Sequence, residues 1–135
     1  MIQEVITQWE QNKDLLQSYF RNNNQSEYST YKDIVKAIFK LVVTRFTDYN
    51  NVDYDKIKVI DDGDYQGTQL FIVPSTTYQP DIEDYFITHN SYGSCSGCDT
   101  LQGISNYDEG LPSDEQIKEY MTLSLHLVQK IKKLV

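Results

Sequence analysis

Thr68-Gln69-Leu70-Phe71-Ile72-Val73-Pro74 is the stretch on which the fold turns. Its β-branched and aromatic residues, closed by a proline, predict a strand rather than a helix. Leu70-Phe71-Ile72-Val73 is apolar at every position. Both pleat faces are therefore apolar, and the strand is expected to be central and covered. Upstream, Lys56–Ile60 predicts a partner strand, joined through the turn-rich Asp61-Asp62-Gly63-Asp64-Tyr65-Gln66-Gly67 as a hairpin. Downstream, a loop containing Pro74 and Pro80 leads into a third strand over Glu83–Tyr92.

Outside this block the apolar spacing becomes helical. Ile2, Val5, Ile6, Trp9, Leu16 and Phe20 recur at intervals of about three to seven and define a first helix with Trp9 in the core. The polar run Asn22–Ser26 reads as a loop. A second helix is expected from about Thr30 to Phe46, opened by a capping box of Thr30 and Asp33. At the C-terminal end, Pro112 precedes a box of Ser113 and Gln116. Asp114 and Glu115 in the first turn, with Lys130, Lys132 and Lys133 in the last, complement the helix dipole. The order ααβββα predicts a single α+β domain over 1–135. Two N-terminal helices and one long C-terminal helix would pack on a three-stranded antiparallel sheet. The last helix is expected to cover the face bearing Leu70, Ile72, Tyr85 and Ile87. His126 would then face solvent, away from Cys95 and Cys98.

The 135 residues suit one core, and no stretch approaches the length of a membrane span. The start, Met1-Ile2-Gln3-Glu4, lacks the basic and apolar regions of a signal peptide, so a cytoplasmic location is expected. The net charge of −8 is uneven: residues 48–115 hold fourteen acids against Lys56 and Lys58, while both flanks are net basic. Such a pattern argues against direct nucleic-acid binding and for solubility or a basic partner. Eleven tyrosines suit a small core with wet edges, or an interaction surface.

Gly93-Ser94-Cys95-Ser96-Gly97-Cys98-Asp99-Thr100-Leu101-Gln102 is the segment that chemistry would use. A CxxC is half of a tetrahedral zinc site, and His89 and His126 are the only histidines to complete it within one chain. Cys95 and Cys98 are thus the candidate metal ligands, with a homo-dimer supplying the same pair again to make a four-cysteine site. The same pair suits a redox dithiol, although a thioredoxin-like chain would begin with a βαβ unit. Gly-x-Cys-x-Gly also has the form of a nucleophile elbow, without the parallel sheet such an elbow needs. The plainest reading is a tight, partly buried turn, with thiols acting as small hydrophobes and Asp99 or Ser96 capping the turn that follows. The acids at 61–64 lack the twelve-residue frame of a calcium loop and read as a solvated hairpin tip. No phosphate-binding loop, dinucleotide fingerprint or HExxH is present.

Tyr92–Gln102, the later Tyr120–Gln129 and the earlier Asp64-Tyr65-Gln66-Gly67-Thr68 together resemble small uncharacterised proteins of bacteriophages and related mobile elements. That resemblance implies a bacterial host cytoplasm and no catalytic residues to carry over. The leading functional expectation is a non-enzymatic accessory protein that works by binding another protein. The alternative is a CxxC protein that binds zinc or cycles as a dithiol.

Overall fold

The computed structural model of this chain describes residues 2–46, 51–64, 66–76, 80, 84–95 and 97–134. Helix α1 (Ile2–Asn22) and helix α2 (Tyr31–Leu41) come first, separated by a 3-10 turn at Gln25–Tyr28. Strands β1 (Lys58–Asp61), β2 (Gly67–Pro74) and β3 (Tyr85–Tyr92) follow. A short helix α3 (Thr100–Ser105), helix α4 (Asp114–Gln129) and a two-residue strand β4 (Lys132–Lys133) complete the chain. All pairings are antiparallel, in the order β1-β2-β3-β4. The α+β class and the helices at either end are as the sequence predicts, and no described helix is long and apolar enough to cross a membrane.

The sheet has four strands rather than three. The C-terminal helix stops at Gln129, so Lys132 and Lys133 leave its last turn and pair with Ile87 and Phe86. Leu134 continues the pairing by donating its N–H to the Tyr85 carbonyl at 3.1 Å. No glycine or proline marks this stop, and the edge of β3 supplies the competing hydrogen bonds. Helix α2 likewise ends five residues before Phe46. The N–H groups of Val42 and Val43 both bond the Ile38 carbonyl, which closes the helix. Gln8 Oε1 then takes the amides of Thr44 and Arg45. Phe46 still reaches the core, stacked on Phe86 with ring centroids 3.6 Å apart.

The helices cover the face of the sheet opposite to the expected one. In β2 Phe71 and Val73, opposite Thr88 and Phe86 of β3, are fully buried and Pro74 is buried at the strand's end; on the other face Leu70 and Ile72 are only half-buried and Ile87 is 9% exposed. Apolar residues at both parities in β2 leave the choice of face to the partners, and a shift of one residue exchanges the two sets. Helix α4 docks on the helix-covered face, where Thr88 donates its hydroxyl to the Leu127 carbonyl at 2.6 Å. Strand β2 is central as expected but covered on one side.

Tyrosines build much of the helical core. Tyr28 and Tyr120 meet edge to face at 5.0 Å, and Phe20 stacks on Tyr120 at 5.2 Å. Each ring removes enough apolar area from water to stabilise by about 1.5–3 kcal/mol. Their hydroxyls are satisfied: Tyr28 donates to the Phe20 carbonyl at 2.8 Å and Tyr120 to Gln25 Oε1 at 2.8 Å. On α1, Val5, Trp9, Leu16 and Phe20 are buried, whereas Ile6 is 56% exposed.

Candidate functional site

The Gly93–Gln102 segment leaves the end of β3 and turns back into α3. Its organiser is Asp99, only 5% exposed, which caps α3. One carboxylate oxygen accepts the Gly93 N–H at 2.8 Å and the Tyr31 hydroxyl at 3.0 Å; the other accepts the Gln102 N–H at 2.9 Å. Tyr31, on α2, in turn accepts the Leu101 N–H at 3.2 Å. Burial pushes its phenol well above the ordinary range, so it stays a neutral donor. Gln102 reaches back to the Gly93 carbonyl at 3.2 Å. One buried carboxylate therefore closes the loop at both ends and fastens it to a helix from the other half of the chain.

The frame also explains one of the two glycines. A Cβ on Gly93 would collide with the Cys98 carbonyl oxygen and lie 3.1 Å from the Cys98 sulfur. Gly97 faces open space: a methyl group added there would meet nothing within 4 Å.

Held by this frame, Cys95 and Cys98 are both exposed free thiols. That overturns the expectation of buried small hydrophobes: Asp99 and Tyr31 are the buried side chains of this region, and both cysteines are exposed. The Cys95 carbonyl accepts the N–H groups of Cys98 at 3.1 Å and Asp99 at 2.9 Å, so the CxxC forms a tight turn. The Cys95 N–H points at the Cys98 sulfur, 2.9 Å away. The Cys98 thiol is held below the ordinary thiol range, first by its hydrogen bond with the Cys95 side chain, then by the amide of Cys95 and by Ser94. Ends of a four-residue turn lie less than about 7 Å apart, which meets the requirement of a disulfide.

Beside Cys98 lies an open cleft of about 620 Å³ between α3 and α4. Gly97, Cys98, Thr100, Glu119, Thr122 and His126 are among its walls. His126 is exposed, as expected from the helix pattern. Because α3 packs against α4, His126 shares this cleft with Cys98. His89 lies on β3 opposite Leu70, on the outer face of the sheet with Tyr85 and Ile87. Among the described residues no group of three or more Cys, His, Asp or Glu side chains is placed to hold a metal ion. Ser96, the other expected cap, lies outside the described residues; Asp99 performs the capping. The strand residue Glu83 and the hairpin residue Tyr65 also lie outside them. The significance of Tyr31 and Glu119 has no local signal, since each stands on a different helix, far from the loop in sequence. No family model, curated protein or solved structure matches this chain.

Proposed function

We propose that this protein carries out thiol–disulfide exchange on a protein partner, with Cys95 and Cys98 as a reversible dithiol. The observation that supports it is the exposure of two free cysteines on one tight turn fixed by buried Asp99, with the Cys95 N–H 2.9 Å from the Cys98 sulfur. A turn needed only for packing would direct its small side chains inward. In a bacterial cytoplasm, the setting implied by the motif's resemblance to bacteriophage proteins, such a pair stays reduced at rest and forms its disulfide transiently. Zinc is the competing use of the same two sulfurs. It would draw on a second copy of the chain, since one copy offers half of a tetrahedral set.

The test is a thiol titration and a metal analysis on protein purified without a histidine tag. Equilibration in buffers of reduced and oxidised dithiothreitol should remove both thiols together, with a mass loss of two hydrogens and no dimer. Stoichiometric zinc, or a chain that never closes its internal disulfide in those buffers, would overturn the dithiol reading.

A second reading, a non-enzymatic accessory protein that binds a partner, rests on a different place. On the outer face of the sheet Ile60 is 53% exposed, beside half-buried Leu70. Tyrosine content lends it less than the composition suggested, because Tyr28, Tyr31 and Tyr120 are committed to the interior. Four of the acids of residues 48–115 are committed to separate contacts. Asp99 is buried, Asp55 pairs with Lys36, Asp114 pairs with Arg21, and Asp61 ties the hairpin.

A further inference from the structure

The two cysteines are not equivalent, and their difference deepens the dithiol reading on which this inference rests. Cys98 lines the cleft between α3 and α4, whereas Cys95 is not among its walls. A disulfide seated in the cleft therefore meets the Cys98 sulfur first. The Cys95 N–H, 2.9 Å from that sulfur, remains in place to stabilise it as an anion. The cleft also has a charge bias. Its walls include the exposed carboxylate Glu119 and, beneath the surface, Asp99, against the single imidazole of His126; no lysine or arginine is among its described lining residues. The whole chain adds a net charge of −8. An anionic disulfide is repelled from such a site and a cationic one is attracted.

We infer that Cys98 is the attacking thiol, Cys95 the resolving thiol, and the substrate a disulfide set among basic residues on a partner protein. In the first step the Cys98 thiolate attacks one sulfur of the substrate disulfide. The Cys98–substrate S–S bond forms, the substrate S–S bond breaks, and the departing sulfur leaves as a thiolate that takes a proton from water. In the second step Cys95, having lost its proton to solvent, attacks the Cys98 sulfur. The Cys95–Cys98 bond forms and the second substrate sulfur leaves as a thiolate, also protonated by water. The substrate disulfide gains two electrons and two protons, and the dithiol loses the same. The order is the reverse of a site in which the first cysteine attacks, and it follows from which sulfur borders the cleft.

Cystamine, a dication, and glutathione disulfide, an anion, serve as probes on the full-length reduced chain. Acid-quenched mass spectrometry reads the rate at which each mixed disulfide forms. Cys95→Ser should capture cystamine, and Cys98→Ser should do so at least about tenfold more slowly. The preference of Cys95→Ser for cystamine over glutathione disulfide should drop by about threefold or more when Glu119→Gln is added, and again in high salt. Independently of any fold change in the variants, substoichiometric iodoacetamide on the unmodified chain should label Cys98 before Cys95. Earlier labelling of Cys95, capture by Cys98→Ser as fast as by Cys95→Ser, or a preference that Glu119→Gln leaves unchanged would overturn the inference. Those outcomes would leave the dithiol reading intact; that reading fails instead if the unmodified chain never closes its internal disulfide.

Discussion

Two turns in this molecule use the same device to different ends. In the hairpin between β1 and β2, Asp61 accepts the Gly63 N–H at 3.0 Å and Asp62 accepts the Thr68 N–H at 2.6 Å. In the loop after β3, Asp99 accepts the amides of Gly93 and Gln102. Both turns are clamped by carboxylates on backbone amides, and both need a glycine where a Cβ has no room. The hairpin bonds are exposed and local, apart from the Tyr92 hydroxyl on Asp61. Those of the loop are buried or part-buried and held by Tyr31, 68 residues away. Water competes for the first set and not for the second, so equal geometry carries unequal energy. The hairpin only joins its strands, while the loop is rigid enough to hold two thiols outward.

The widest separation between the two turns is expected from Asp99→Ala. It strips partners from the Tyr31 hydroxyl, the buried Gly93 amide and the part-buried Gln102 amide, and should cost about 3 kcal/mol in denaturant unfolding. Gly93→Ala should follow at about 1–3 kcal/mol, because the Cys98 carbonyl must move. Gly97→Ala, a few residues on, should cost nothing and can gain up to about 1 kcal/mol through the unfolded chain. If Gly97→Ala proves as damaging as Gly93→Ala, the frame is wrongly drawn. Tyr31→Phe, which deletes the long-range anchor while keeping the ring, should cost about 1–2 kcal/mol.

The hairpin should respond far less, and chiefly to pH. Tyr92 holds the exposed Asp61 carboxyl below its usual range, helped by the Gly63 amide and Gln69. The same bond pushes the Tyr92 phenol from 10.0 up to about 12. A depressed carboxyl contributes stability above its unfolded pKa, lost as pH falls through the folded value. A raised phenol contributes fully below 10.0, and that contribution fades as pH rises towards about 12. Asp61→Asn should therefore lower the unfolding midpoint slightly at neutral pH, where both contributions are present but screened by water, and flatten its dependence on pH at the acid and alkaline ends. It should lower the ultraviolet titration midpoint of Tyr92 towards 10.0. An unmoved midpoint would detach Tyr92 from the hairpin. On the loop, Cys95→Ala should shift the pH profile of Cys98 alkylation upward, because the Cys95 side chain is the main cause of the lowered thiol.

Local chemistry made much of this molecule legible. Capping boxes at Thr30–Asp33 and Ser113–Gln116 formed as their residue types predict, because each involves neighbours within one turn. The strand character of Thr68–Pro74 and its central position needed only β-propensity and flanking turns. The CxxC was visible at once as two thiols three residues apart. Which face of β2 is covered could not be read, because its apolar residues fill both parities and the choice belongs to the helices. The end of α4 at Gln129 depended on hydrogen bonds offered by a strand about forty residues earlier. Whether Cys95 and Cys98 point inward or outward was decided by Tyr31 and Asp99. A buried phenol and a buried carboxylate satisfied each other at the base of the loop, and only the tertiary fold brings that pair together.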